Sequence, residues 1–502
     1  MSREFGDFQT PIELCRQVVA LFEGCSFERV LEPTCGAGSF LEASHEAWPR
    51  AERIGIEIQQ PYLEEARRTG AEVLHASLFD INLSSDLPWT TANGRLIAIG
   101  NPPWVTNAEL GALGSINLPK KSNVKGLKGL DAITGASNFD ITEYMLIKLI
   151  VELMSERPVV AMLCKTQVAR NVFEYCRAHD LPVGDFEIFT IDAKKWFDAA
   201  VDACLFKFSV GSDAGAECAV RVGLSREHAP LLLGYNGRGQ LVTDLAAYEE
   251  VSEVDGLCPL EWRQGLKHDA SAVMELVTAD GSLQTKSGEI VSVEEEFVFP
   301  LLKCTDLHRD RLSPRRAVVV PQKAFGEETK ARRNDAPALW DYLEANADAL
   351  DGRKSSIYKG KPRFSVFGLG PYSFAPWKVA VSGLHADPNF RLVGPYEGRP
   401  VFFDDTCYLL PFEDEASACI AFSILTSPVV SRFLSATKYP GAKRPITKKL
   451  LQRIDLRAAI ELSDRRLLLE TAQRQVTNDR LLRDSDLDLF AREDDAQGVL
   501  AL

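Results

Sequence analysis

Over about the first 210 residues, amphipathic stretches alternate with short apolar, β-branched runs, the pattern left by a parallel sheet covered with helices. PIELCRQVVALF, residues 11–22, sets Ile12, Leu14, Val18, Val19 and Phe22 at mixed helical spacing behind a Thr-Pro start that suits a helix N-terminus. ERVLEP, RIGIEI and LIAIGNPP then read as successive strands, each ending in a polar or turn residue. PVVAMLCK and ACLFKFSV read as two later strands of the same sheet. Near GSDAGAE, residues 211–217, the pattern loosens, and a boundary is expected there. The second half holds AVVVPQ, KPRFSVFGLGPYSFAPWKVAVSG and PVFFDDTCYLLPF, strand-like runs broken by Gly and Pro. Helical periodicity returns in ASACIAFSILTSPVVSRFL and SDRRLLLETAQRQVTNDRLLRD, before an acidic tail. The expected division is 1–215, 216–460 and 461–502.

A chain of 502 residues is too long for one ordinary domain, and 45% hydrophobic with 25% charged residues is the balance of a globular protein. Its apolar runs fall short of the roughly 18 to 20 residues that span a bilayer, and MSREFGDFQTP lacks the basic start and apolar stretch of a secretory signal, so a cytoplasmic protein is expected. The 11 cysteines are scattered singly with no C-x-x-C pair, which points to buried free thiols rather than zinc or disulfides. A net charge of -14 argues weakly against a polyanionic partner unless Lys and Arg are locally concentrated.

The strongest local feature is VLEPTCGAGSFL, Val30 to Leu41: a strand, an acid, a Gly-rich turn and a helix. Gly36 and Gly38 let the backbone bend sharply and approach a ligand closely. RIGIEI then carries Glu57 as its fifth residue, a carboxylate at the end of the next strand, where a cofactor ribose would present its hydroxyls. A dinucleotide is the first competitor for this loop, but Leu41 stands where G-x-G-x-x-G has its third glycine. The fourth strand ends in IGNPPW, Gly100 to Trp104, where two consecutive prolines fix their own φ angles and restrict the residues before them. A turn so stiffened at a sheet's carboxyl edge is a candidate site.

In order over about the first 210 residues, these segments resemble the gamma-class amino-group DNA methyltransferases, the TaqI-like type II modification enzymes. The resemblance implies a Rossmann-like class I α/β fold, mostly parallel and seven-stranded, followed by a mixed α+β target-recognition domain. It makes 1–215 the catalytic, S-adenosylmethionine-binding part, 216–460 the DNA-binding part and 461–502 a C-terminal helix and tail. FQTP resembles the motif that contacts the cofactor's methionine moiety, with Thr10 as polar contact. LEPTCGAGSFL resembles the cofactor loop, with Glu32, Cys35, Gly36 and Gly38, and Glu57 resembles the ribose-binding acid. Where the family has an Asp beside the cofactor adenine this chain reads HASLFD, leaving Ser77 or Asp80 for that contact. NPPW resembles the catalytic motif, so Asn101, Pro102, Pro103 and Trp104 are expected to act on an adenine N6 amino group. KKWFDAAVDACLFKF resembles the motif whose aromatic packs against the target base, here Phe197 with Trp196 as substitute. Trp104 and Phe197 are expected to stack on the two faces of a base rotated out of duplex DNA.

Positive charge is concentrated in LPKKSNVKGLKG (Lys120, Lys121, Lys125, Lys128), GRKSSIYKGKPRF (Arg353, Lys354, Lys359, Lys361, Arg363) and TKYPGAKRPITKK (Lys438, Lys443, Arg444, Lys448, Lys449). Lys120, Lys121, Lys354, Lys443 and Arg444 are the expected phosphate contacts on double-stranded DNA. The family implies a prokaryotic, nucleoid-associated enzyme in a restriction-modification or phage-defence setting, with restriction supplied by a separate endonuclease or complex and no metal required. Rival readings are methylation of N4-cytosine, RNA guanine or protein glutamine, and a non-catalytic DNA-binding subunit. The intact Asn101, Glu57, Gly36 and Gly38 speak against the last.

Overall fold

The structure is a computed structural model that describes residues 9–91, 93–105, 140–279, 282–438 and 444–491. It divides into two compact units, 1–245 and 246–502.

The first unit is built on a ten-stranded sheet. In chain order its strands are β1 (Arg29–Glu32), β2 (Glu52–Glu57), β3 (Glu72–His75), β4 (Leu96–Gly100), β5 (Val159–Lys165), β6 (Val183–Ile191), β7 (Ala203–Val210), β8 (Glu217–Arg221), β9 (Leu231–Tyr235) and β10 (Leu241–Val242). Their order across the sheet is β10-β9-β8-β6-β7-β5-β4-β1-β2-β3. β3, β2, β1, β4 and β5 run parallel, whereas β7 lies antiparallel between β5 and β6. Every residue of β1 and β4 is buried, and β4 reads as an unbroken apolar run, since a central parallel strand is covered on both faces. Among the described residues the helices are α1 (Ile12–Ala20), α2 (Ser39–Ala47), α3 (Gln60–Arg67), α4 (Ile141–Glu152), α5 (Thr166–Ala178) and α6 (Ala193–Phe197).

Two expectations are corrected here. The sheet has ten strands where seven were expected, because β8 pairs in parallel with β6 and carries β9 and β10 with it. For the same reason the first unit closes at Leu245 rather than at 215. These added strands are short and only partly buried.

The second unit holds two smaller sheets. One has the order β13-β12-β15-β14-β18, from Ser282–Gln284, Glu275–Ala279, Arg316–Val319, Val298–Leu302 and Phe402–Phe403. The other has the order β11-β19-β16-β17, from Arg263–Gln264, Cys407–Phe412, Trp377–Ser382 and Arg391–Val393. The helix Glu415–Leu425 is buried almost all round and packs on Arg465–Gln473. Among the described residues, no single helix is long and apolar enough to cross a membrane. All the cysteines are free thiols, and all but the half-buried Cys25 are buried, as the sequence implies.

Candidate active site

The chain winds outward from β1 through β2 to β3, then returns to place β4 on the other side of β1. At such a switch point the loops leave in opposite directions and open a crevice beyond the strand ends. Glu32, Glu57 and Asn101 stand at the carboxyl ends of β1, β2 and β4, three neighbouring strands.

The turn after β1 is shaped by two glycines in the left-handed region, Gly36 at φ +50° and Gly38 at φ +90°. A Cβ on Gly36 would fall 2.6 Å from Gln9 Oε1, and one on Gly38 would fall 3.0 Å from the Ala66 backbone. Gln9 leans over this turn, its Oε1 accepting the Ala37 N–H at 2.9 Å. Glu57, 6% exposed, accepts the Gly36 N–H at 2.8 Å and the Gln59 N–H at 2.6 Å, so one carboxylate ties the end of β2 to the glycine turn. Glu32 is buried, accepts the Leu41 N–H at 3.1 Å in the first turn of α2, and lies against Gly100. Burial holds its carboxyl well above the usual carboxylate range, and the Glu57 charge pushes the same way against the opposing Leu41 N–H.

Cys35 is buried within the same turn. Its thiol packs among Leu41, Leu63, Ala66 and Val73, and burial pushes its pKa strongly upward. Only its backbone, bonded to Ile56 O at 2.9 Å, belongs to the turn. Thr10 is buried beside the start of α1. Ser77 is half-buried and its Oγ accepts the Phe79 N–H at 3.2 Å, while Asp80 is exposed.

Beyond β4, Asn101 and Pro103 are half-buried, and Pro102 and Trp104 buried. The Trp104 indole N–H donates to Leu163 O on β5 at 3.3 Å, laying the turn across the neighbouring strand. Trp104 and Phe197 meet edge to face with ring centroids 5.1 Å apart, and both belong to the core that includes Phe40, Ile99 and Leu163. The two aromatics are thus brought together from 93 residues apart (197 minus 104), but they touch each other. Packed edge to face, the two rings form one aromatic wall. Trp196 is half-buried, with the Lys195 ammonium 4.6 Å from its ring centroid.

Sequence reasoning missed the residues that fasten this turn. Fully buried Thr142 donates its hydroxyl to Pro103 O at 2.9 Å, and the Ile141 N–H donates to Val105 O at 3.0 Å. Asp140 caps α4 by accepting the Thr142 N–H and pairs with Lys165 at 2.8 Å. Their separation from NPPW along the chain leaves no local signal. Gln9 did have one, standing inside the FQTP segment.

The basic clusters fare differently from one another. Lys120, Lys121 and Lys443 lie outside the described residues, as do Lys125 and Lys128. Arg353 is turned inward, donating to the backbone of Leu350, His268 and Ser365 and stacking 3.9 Å from the Tyr358 ring centroid. Arg363 pairs with Asp351 and Glu344. Lys354, Lys359 and Lys361 are exposed. Arg444 is half-buried against Asp405, donating to its carbonyl at 3.1 Å. Among the described residues no group of three or more His, Cys, Asp and Glu could hold a metal ion.

No protein-family model matches the chain. The Type II methyltransferase M.NspV of Nostoc sp. (strain ATCC 29411 / PCC 7524) is 39% identical over 469 residues, spanning 90% of this chain and 96% of that protein. The structure of the type IIL restriction-modification enzyme MmeI in complex with DNA superposes with a TM-score of 0.52 at 12% identity, covering 98% of this chain and 72% of that one, a likeness of fold. With 39% identity sustained along nearly all of both sequences, the chain belongs to the type II methyltransferase family.

Proposed function

We propose that the protein transfers a methyl group from S-adenosylmethionine to the N6 amino group of an adenine rotated out of duplex DNA. The observation that carries this reading is the Asn101–Trp104 corner at the sheet's switch point, next to β1, whose glycine turn is tied to a buried carboxylate. Kinship with M.NspV supports methyl transfer, and the DNA complex of MmeI supports a duplex substrate.

The residues fit the cofactor. The glycine turn keeps its curvature only without side chains at Gly36 and Gly38, and Glu57 offers carboxylate oxygens, good acceptors for ribose hydroxyls. Gln9 and Thr10 would hold the methionine end, and Ser77 or Asp80 the adenine amino group. Bound there, the sulfonium supplies the methyl group and the leaving group. An adenine amino nitrogen is a weak nucleophile because its lone pair is delocalised into the ring. The Asn101 side-chain oxygen and the Pro102 carbonyl accept its two N–H bonds, favouring a pyramidal nitrogen and stabilising the positive charge that grows on it. The proline rings set φ at Pro102 and Pro103, so part of the acceptor geometry is in place before the base arrives. The wall of Trp104 and Phe197 offers the base one aromatic face, worth on the order of 1–3 kcal/mol against the cost of unstacking. The second unit reads the target sequence, with Lys354, Lys359 and Lys361 on phosphates.

The test is incubation with S-adenosylmethionine and unmodified DNA, followed by single-molecule sequencing of the product. N6-methyladenine at one short sequence is expected, with Asn101→Ala lowering turnover at least ~10³-fold while cofactor binding stays within a few fold. Methylated cytosine, unmarked DNA or an active Asn101→Ala protein would refute the reading.

A further inference from the structure

The prolines leave one rotation of the proposed acceptor unfixed. Their rings set φ at Pro102 and Pro103, but the direction of each carbonyl depends on ψ. At Pro103 that rotation is stopped from outside the turn, because the Thr142 hydroxyl donates to the Pro103 carbonyl at 2.9 Å. With ψ of Pro103 restrained by that bond and φ set by its ring, one angle is favoured between the 103–104 plane and the 102–103 plane before it. That plane carries the Pro102 carbonyl.

Thr142 is itself held from two sides. It is fully buried, and its N–H is accepted by Asp140, the cap of α4. Asp140 in turn meets Lys165 at 2.8 Å, and Lys165 is the last residue of β5, the strand beside β4. The Ile141 N–H bonded to Val105 O closes the arrangement on the far side of the turn. A threonine in the first turn of a helix has no need of a partner 39 residues away, since its hydroxyl could bond locally. The long-range bond spends that hydroxyl on the turn.

We infer that Thr142, set in place by the Asp140–Lys165 pair, is a positioning residue for methyl transfer, aligning the Pro102 carbonyl with the amino group it is to accept. The inference rests on the function proposed above.

It is tested in the full-length protein with Thr142→Val, which keeps the volume and removes the hydroxyl, Thr142→Ser, which keeps the hydroxyl, and Lys165→Met, at a partly exposed position that tolerates change. Single-turnover methylation of an oligonucleotide duplex, KM for S-adenosylmethionine and thermal unfolding are measured for each. Thr142→Val is expected to slow the methyl-transfer step about tenfold with KM unchanged within twofold, Thr142→Ser to stay within about threefold of the parent, and Lys165→Met to slow transfer about threefold. A Thr142→Val protein that transfers within twofold of the parent overturns the inference, as do equal losses in the Val and Ser variants, which would show a packing role. Should Thr142→Val not fold, an unchanged transfer rate in Lys165→Met overturns it alone. Asn101→Ala run in parallel separates the two failures: an active Asn101→Ala protein ends the proposed function, whereas an inactive one beside an unaffected Thr142→Val ends only this inference.

Discussion

Replacing Glu57 by Gln tests whether one carboxylate holds the glycine turn in a binding shape. The carboxylate accepts the N–H of Gly36 at 2.8 Å and that of Gln59 at 2.6 Å, one with each oxygen, and is 6% exposed. Glutamine has the same shape but only one acceptor, so its amide NH2 must face one of the two backbone donors. Losing a hydrogen bond to a charged group costs about 1.5–3 kcal/mol, and neutralising the one that remains roughly halves it, for a total of about 2–4 kcal/mol. In a unit of this size that corresponds to a fall in melting temperature of roughly 5–15 °C. The turn it releases is the proposed cofactor seat, so S-adenosylmethionine measured by titration calorimetry should bind at least tenfold more weakly, about 1.4 kcal/mol. A Glu57→Gln protein that melts within about 1 °C of the parent and binds the cofactor within twofold would refute this account.

Further outcomes are expected elsewhere. Gly38→Ala should destabilise the first unit by roughly 1–3 kcal/mol and more than Gly36→Ala, since the left-handed backbone strains both but Gly38 faces immovable backbone while Gly36 faces the tip of Gln9; melting curves of the two variants compare them directly. Lys378, 1% exposed on β16, is pushed down to about 7 by burial, with Glu413 opposing. Below pH 7 it is charged in both states and the burial penalty is full; between about pH 7 and its ordinary 10.5 only the unfolded chain holds the proton, so stability of the second unit rises with pH. Urea unfolding should show that rise in the parent and a flatter, higher profile in Lys378→Met, and an equally steep rise in the variant would contradict it. Combined Lys354→Ala, Lys359→Ala and Lys361→Ala substitutions should reduce the salt dependence of DNA binding by a slope of about 0.9 for each phosphate no longer neutralised, whereas Arg444→Ala, already engaged with Asp405, should change it less.

Much of the site was readable from the linear chain because its parts are local. VLEPTCGAGSFL carries a strand, a turn and a helix start in twelve consecutive positions, and the turn's need for positive φ at Gly36 and Gly38 is met within it. Glu57 and Asn101 were found the same way, as the residues that end unbroken apolar runs. The central strands could be located because burial on both faces demands an apolar side chain at nearly every position.

Tertiary structure decided what depends on partners distant in the chain. β8 to β10 join the sheet because β6 offers an open edge, a pairing between segments distant in the chain that no local pattern specifies. The fates of Arg353 and Lys354, adjacent and both basic, diverge because one guanidinium meets three backbone carbonyls and a tyrosine ring while its neighbour meets solvent. Trp104 and Phe197 become one wall, and Thr142 reaches Pro103, only once β4, β5 and the helix beginning at Ile141 have packed. A sequence specifies the chemistry and the local bend of such a corner through its own side chains. Its rigidity comes from hydrogen bonds and packing that long-range folding alone can bring within reach.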